Sequence, residues 1–160
     1  MDPMHNPPAS PARLLLVEDH DDSLRLLAKL LGLNGYGVET ARSAAEAVTV
    51  ASAASIDLVI CDLVLPDRSG FELLEELQRI SVARRRENGH GHSPQGGLRG
   101  IALTGLTDPA TVTRCEAVGF ARHISKPVDM NDLLDAVRAV LGGGPPGGGG
   151  AYCAPAYGPA

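Results

Sequence analysis

The 160-residue sequence predicts an α/β protein in which helices cover both faces of a doubly wound, five-stranded parallel sheet. Three observations predict this class. Segments with strand character alternate regularly with segments of helical periodicity, the strand segments are almost continuously apolar, and most connections between them are short. Strands that are apolar throughout are typical of a parallel sheet that is buried on both faces.

The five strand segments are short apolar runs, several of which end in a polar or charged residue. They span residues 13–18 (RLLLVE), 36–41 (YGVETA), 57–62 (DLVICD), 99–105 (RGIALTG) and 121–126 (ARHISK). The third is unusual because Asp62 stands between two apolar runs. A carboxylate is rarely buried unless another group pairs with it, so we expect a partner for Asp62 at the end of this strand.

Five helical segments follow the strands and show apolar faces or start signals. They span residues 21–35, 43–54, 70–80, 108–118 and 130–141. Leucines spaced by three, four and seven residues give the first helix its apolar face. Ser43 and Ser69 each precede a glutamate by three residues, which is the capping-box spacing, at the starts of the second and third helices. Pro109 falls in the first turn of the fourth helix, and Asp129 is the expected N-cap of the fifth.

Composition excludes several classes of protein. The net charge of −5 argues against nucleic acid as a partner, because neutralising phosphates requires clustered Lys and Arg. The three cysteines are odd in number and widely spaced, which favours neither a disulfide framework nor a zinc site. No apolar run is long enough to cross a membrane, and the Pro-rich start is not a signal peptide, so we expect a cytoplasmic protein.

The two ends of the chain differ in composition from its middle. Residues 1–12 are rich in Pro, and residues 142–160 consist almost entirely of Gly, Pro and Ala. Such segments bury too little apolar surface to offset the entropy of ordering, so we expect disordered tails. Residues 13–141 then form a single domain.

Polar side chains stand at the ends of four predicted strands. Glu18 and Asp19 end the first, Asp62 the third, Thr104 the fourth and Lys126 the fifth. We expect them to converge, because ligands of open parallel sheets bind beyond the carboxyl ends of the strands. Three neighbouring carboxylates repel one another unless a cation neutralises them, so the set predicts a divalent cation such as Mg²⁺, with the lysine as a second positive charge.

A simpler interpretation is that Glu18 and Asp19 cap the next helix and that Lys126 makes an ordinary surface ion pair. The joint placement of these residues at strand ends favours a functional site. A carboxylate can attack phosphorus and form an acyl phosphate, while a metal ion and Lys126 would neutralise the phosphoryl oxygens. Thr104 could donate a hydrogen bond to one of those oxygens. The residues therefore predict that Asp62 accepts a phosphoryl group.

The motifs LLLVEDHDDSL, DLVICDLVLPDRSGFELL, IALTG and HISKPVD resemble those of response regulators, the receiver domains of two-component signalling. The resemblance covers residues 13–141. It implies a flavodoxin-like strand order 2-1-3-4-5 and a phosphoryl group that passes to Asp62 from the phosphohistidine of a histidine kinase or phosphotransfer protein. A downstream protein that binds the switched surface is implied as well.

The same resemblance assigns roles to the other residues of the site. Thr104 and Lys126 would respond to the phosphorylated state, and the peptide bond between Lys126 and Pro127 would be cis. The Mg²⁺ ligands would be the side chains of Glu18, Asp19 and Asp62 and the main-chain carbonyl of Val64.

Two departures from the family pattern affect the expected signalling. His123 stands three residues before Lys126, where related receivers usually carry Tyr or Phe, so we expect a weaker or pH-dependent switch; alternatively His123 is an exposed edge residue. Val64 and Leu106 occupy positions that often orient the attacking water. Both are apolar, which predicts slow self-dephosphorylation.

The segment 81–98 is expected to be a long loop on the face away from the site. We expect the arginine run 84–86 to be solvated, although it could contact an acidic patch on a partner. His90 and His92 could bind a metal ion, but such isolated pairs usually do not.

Two other functions are considered. A Mg²⁺-dependent phosphatase with an aspartyl nucleophile, of the haloacid dehalogenase kind, needs a second acid two residues after the nucleophile, and Val64 stands there. A scaffold that is never phosphorylated would leave the acidic site unused. We therefore expect no enzyme activity beyond self-phosphorylation and slow dephosphorylation, in a stand-alone receiver or one belonging to a hybrid histidine kinase.

Overall fold

The computed structural model describes residues 11–88, 98–105 and 108–142, and of residues 84–88 only the backbone. The strands are β1 (Arg13–Val17), β2 (Gly37–Ala41), β3 (Leu58–Asp62), β4 (Arg99–Thr104) and β5 (Phe120–Ser125). The helices are α1 (Asp21–Leu33), α2 (Ala44–Ala53), α3 (Gly70–Asn88), α4 (Pro109–Val118) and α5 (Met130–Leu141). All neighbouring strands are parallel, and their order β2-β1-β3-β4-β5 confirms the predicted fold.

The sheet separates two hydrophobic cores. Alternate residues of each strand point to opposite faces, so Val59 and Cys61 of β3 pack in the core beneath α2, α3 and α4. Leu58 and Ile60 of the same strand pack in the core beneath α1 and α5. Because helices cover both faces, the central strands are apolar throughout, as the sequence pattern required.

The helix starts follow the predicted capping signals. The Ser43 hydroxyl accepts a hydrogen bond from the Glu46 amide at 3.1 Å, and the Ser69 hydroxyl accepts one from the Glu72 amide at 3.2 Å. Pro109 is in the first turn of α4. The Asp129 carboxylate accepts hydrogen bonds from two amides in the first turn of α5. These contacts satisfy amides that have no partner inside the helix.

Helix α3 is longer than predicted. The sequence prediction ended this helix at Ile80 and placed the arginine run 84–86 in a loop, but the helix continues to Asn88. Residues 81–88 contain no Gly or Pro and include Ala, Arg and Glu, which are good helix formers, so the helix continues after its apolar periodicity ends. The loop prediction for residues 81–88 was therefore wrong.

Some sequence predictions fall outside the described residues. These are the loop prediction for residues 89–97, which include His90 and His92, the expected solvation of the arginine side chains 84–86, and the predictions for Leu106 and for all but three residues of the two tails. None of the described helices combines the length and the apolar character that spanning a bilayer requires.

Candidate functional site

The strand order brings the predicted polar residues to one edge of the sheet. β3 lies between β1 and β4, and β5 pairs with β4, so the carboxyl ends of these strands are neighbours. The backbone ladder continues past the strand ends, because the Leu63 amide donates to the Leu103 carbonyl at 3.1 Å and the Lys126 amide donates to the Thr104 carbonyl at 2.9 Å. Asp62 and Lys126 are therefore positioned by main-chain hydrogen bonds.

The carboxylate of Asp62 is buried and both of its oxygens have partners. Oδ2 lies 2.5 Å from the Lys126 ammonium, and Oδ1 accepts a hydrogen bond from the Val64 amide at 2.9 Å. The ammonium is thus the partner that the sequence required for a carboxylate at the end of an apolar strand.

Lys126 also contacts the buried carboxylate of Glu18, whose Oε2 lies 3.1 Å from Nζ. Burial alone would lower the pKa of Lys126, but the hydrogen bonds and negative charges of Asp62 and Glu18 outweigh it and raise this pKa. The lysine side chain is 31% exposed and its two carboxylates are almost fully buried, so the simpler interpretation of an ordinary surface ion pair is wrong. The Lys126–Pro127 peptide bond is cis, as the resemblance implied.

A second group of ligand atoms lies beside this pair. One side-chain atom from each of Glu18, Asp19 and His20 falls within 4.8 Å of the others. The imidazole Nδ1 of His20 lies 3.1 Å from Glu18 Oε1 and 3.2 Å from Asp19 Oδ1. The hydrogen bond to Glu18, together with the charges of both acids, raises the pKa of His20. His20 was not among the predicted site residues, although three consecutive ligand-type residues after a strand were a visible signal.

Glu18 does not cap α1, contrary to the simpler interpretation. Its Oε1 accepts a hydrogen bond from the His20 amide at 3.2 Å, which precedes the helix, and the N-cap His20 makes no side-chain cap. Asp62 lies outside the three-residue group, and Val64 contacts Asp62 through its amide. The structure therefore brings Glu18, Asp62 and Lys126 into direct contact and places Asp19 next to Glu18.

The loop between β3 and α3 is attached to α2 by Asp67. Its two carboxylate oxygens accept hydrogen bonds from the amides of Ala44 and Ala45, both at 2.9 Å. The bond from Ala44 is the largest cause of a lowered pKa for Asp67. This contact was not predicted from the sequence because its partners are more than 20 residues apart. Asp67 fixes the loop that follows Asp62.

The two predicted switch residues lie on neighbouring strands. Thr104 is buried at the end of β4, and His123 is 5% exposed on β5, where it pairs with Ala102. The interpretation of His123 as an exposed edge residue is therefore wrong. Burial lowers the pKa of His123, and the charge of Glu116 on α4 partly opposes the effect.

Three comparisons with known proteins agree with this architecture. Residues 14–138 match the family model described as the response regulator receiver domain. The chain is 33% identical over 131 residues to the transcriptional regulatory protein GlrR of Escherichia coli (82% of this chain, 26% of GlrR). It is 32% identical over 126 residues to the photosynthetic apparatus regulatory protein RegA of Cereibacter sphaeroides, and this match covers 79% of this chain and 61% of RegA. It thus spans about a quarter of GlrR.

Among solved structures, the chain is similar to a CheY-like response regulator receiver domain protein from Methanospirillum hungatei. The TM-score is 0.68 at 28% sequence identity, and the match covers 84% of this chain and 96% of that one.

Proposed function

The chain belongs to the response regulator receiver domain family, and on that basis we propose that Asp62 is its phosphoacceptor. One observation carries the assignment: Asp62 is a buried carboxylate at the carboxyl end of the central strand, and its charge is balanced by Lys126 at 2.5 Å. A carboxylate held in this way is available as a nucleophile without being an isolated buried charge.

In the proposed step, a carboxylate oxygen of Asp62 attacks the phosphorus of a phosphohistidine. The new bond joins the Asp62 oxygen to phosphorus, the phosphorus–nitrogen bond breaks, and the histidine ring leaves with the electron pair of that bond. Lys126 stabilises the negative charge on the phosphoryl oxygens because its ammonium already lies against Asp62. We assign the Thr104 hydroxyl to one phosphoryl oxygen after transfer, since Thr104 ends the strand next to β3.

A divalent cation, most simply Mg²⁺, fits the donor set at this site. One ammonium cannot neutralise three carboxylates, and carboxylate oxygens are the ligands that Mg²⁺ prefers. Glu18, Asp19 and Asp62 would hold it through their side chains and Val64 through its main-chain carbonyl. When bound, the ion adds positive charge against the phosphoryl oxygens.

The phosphoryl donor would be a histidine kinase or a phosphotransfer protein, and the receiver would signal to a downstream protein. The activity would be limited to phosphorylation of Asp62 and its slow reversal. A cytoplasmic location, and the absence of nucleic acid and membrane partners, remain predictions from composition.

Incubation of the protein with acetyl phosphate and Mg²⁺, followed by intact mass measurement, tests the proposal. We expect a mass gain of one phosphoryl group that is lost in Asp62→Asn and in the presence of a chelator. Asp57→Asn is the matched control, because Asp57 precedes the same strand and binds the Arg13 amide at its other end. Turnover of acetyl phosphate without a mass gain would instead indicate a phosphatase with an aspartyl nucleophile. If the protein neither turns over acetyl phosphate nor gains mass, it would be a scaffold that is never phosphorylated.

A further inference from the structure

The side chain of His20 lies at the edge of the proposed cation site. It directly follows Glu18 and Asp19, it is 73% exposed, and its Nδ1 contacts an oxygen of each acid. We propose that His20 is a nitrogen ligand that makes this site select a first-row transition-metal dication such as Mn²⁺ over Mg²⁺. This inference rests on the proposed function, because it refines the cation site of the same domain.

The distances fit shared coordination. Two neighbouring ligands of an octahedral ion with bonds of about 2.1 Å are about 3.0 Å apart. The observed separations from the imidazole Nδ1 are 3.1 Å to Glu18 Oε1 and 3.2 Å to Asp19 Oδ1. The first of these separations is also that of the hydrogen bond between His20 and Glu18, but a single ring N–H cannot point directly at both acceptors. The ligand atoms of all three residues lie within 4.8 Å of one another, so a small adjustment would bring them around one dication.

The Glu18 carboxylate is oriented before any ion binds. The Glu18 side chain is almost fully buried, its Oε1 accepts a hydrogen bond from the His20 amide at 3.2 Å, and its Oε2 lies 3.1 Å from Lys126. Its orientation is thus fixed from both sides, and Oε1 lies against the His20 side chain. Fixed ligands lose little conformational entropy when an ion binds.

The chemistry of the nitrogen donor determines the selectivity. Mg²⁺ is a hard cation that takes oxygen ligands and retains water, whereas an imidazole nitrogen binds first-row transition metals, most strongly the later ones. Affinity for mixed nitrogen and oxygen donors rises along the series from Mn²⁺ to Cu²⁺. A site with oxygen ligands alone lacks the preference for transition metals that a nitrogen ligand provides. Removal of His20 should therefore reduce the binding of transition metals more than the binding of Mg²⁺.

Pulsed electron paramagnetic resonance of the tag-free 160-residue chain loaded with Mn²⁺ tests for a directly bound nitrogen. We expect nitrogen coupling to Mn²⁺ in the wild type and in the control His90→Gln/His92→Gln, and its loss in His20→Gln. In parallel titrations, His20→Gln should bind Mn²⁺ at least about tenfold more weakly, since the loss of even an outer ligand partner costs about 10–100-fold. The affinity of His20→Gln for Mg²⁺ should change much less.

Bound Mn²⁺ without nitrogen coupling, or coupling that persists in His20→Gln, would overturn the inference. An equal loss of Mn²⁺ and Mg²⁺ affinity in His20→Gln would overturn the claimed selectivity. The proposed function is tested separately, by Mg²⁺-dependent phosphorylation of the wild type with acetyl phosphate. If that phosphorylation fails while His20-dependent nitrogen coupling is present, the phosphoacceptor role is refuted and the metal site stands.

Discussion

Gly70 opens α3 directly against the end of the acceptor strand, and its replacement by alanine should destabilise the protein. An added Cβ would lie 2.6 Å from the Asp62 carbonyl oxygen, 2.9 Å from Leu63 Cα and 3.2 Å from Cys61 Sγ. The first two are main-chain atoms and cannot rotate away. The Gly70 amide also donates to the Leu63 carbonyl at 2.9 Å, so α3 cannot retreat without losing this bond.

Two opposing effects determine the size of the change in stability. An extra methyl group in a filled region costs about 1–3 kcal/mol. Alanine in place of glycine in a helix returns about 0.5–1 kcal/mol. Because the contacts of the new methyl group are with main-chain atoms, we expect the clash to outweigh the gain and to lower the free energy of unfolding by about 1–2 kcal/mol.

Urea unfolding followed by far-ultraviolet circular dichroism suits a protein without Trp. With an m-value of about 2 kcal/mol/M, the midpoint of Gly70→Ala should fall by about 0.5–1 M. Gly32→Ala is the matched control, because nothing lies within 4 Å of a Cβ at this position in the last turn of α1. Its midpoint should rise slightly.

If Gly70→Ala unfolds at the wild-type urea midpoint or above it, the added methyl group does not clash with the main chain as expected. If Gly32→Ala also lowers the midpoint, the assumed gain from helix propensity is wrong. Phosphorylation by acetyl phosphate gives a second measurement on Gly70→Ala. It should slow, because displacement of the Asp62 main chain moves the carboxylate relative to Lys126.

Four further predictions concern single side chains. The amides of α2 lower the pKa of Asp67, so the stability that this carboxylate contributes is present above its unfolded pKa of about 3.9 and is lost as the pH falls through the lower folded pKa. Measured by urea midpoints, Asp67→Asn should therefore lose less stability between pH 5 and pH 3 than the wild type. Equal losses in the two proteins would contradict this. Lys126→Met should lower the free energy of unfolding at neutral pH by about 1–3 kcal/mol, less than for a fully buried pair because the lysine is partly exposed. The raised pKa of Lys126 also predicts that the wild type loses this stabilisation as the pH rises above about 10.4. Lys126→Met should not show that loss. Because the pKa of His123 is lowered, the stability that the neutral imidazole contributes is full above about pH 6.5 and is lost at lower pH. His123→Phe should therefore remove the part of the decline in stability between pH 7 and pH 5 that is due to this residue. An unchanged dependence of stability on pH in His123→Phe would argue against this. Val64→Gln should shorten the lifetime of the acyl phosphate, measured by intact mass after removal of acetyl phosphate; a wild-type lifetime of seconds would contradict the expected slow decay.

Much of the fold was predictable because local patterns and tertiary packing agree. Apolar runs predicted the five strands, and the serines at positions 43 and 69 predicted two helix starts. The convergence of Asp62 and Lys126 followed from a general property of parallel sheets, which needs no distance information. These predictions depended on signals that repeat along the chain or that topology fixes.

The missed features depend on contacts that the sequence order does not display. The two hydrogen bonds of the Asp67 carboxylate join its loop to a helix earlier in the chain, and no local sequence pattern marks the amides that donate them. The continuation of α3 was missed because propensity, and not apolar periodicity, sustains its last turns. The burial of His123 follows from its position on β5, where it pairs with Ala102 of the core beneath α2, α3 and α4, and a single residue in sequence does not reveal this.

The alternation of side chains between the two cores restricts how this chain can change in evolution. Val59 and Cys61 belong to one layer and Leu58 and Ile60 to the other. Deletion of one residue within β3 would turn the side chains of part of the strand from one core to the other. It would also shift Asp62 away from the edge formed by the carboxyl ends of the strands. Length variation among descendants of this sequence is therefore expected in the connections at the far side of the sheet, while the helices on each face can diverge separately.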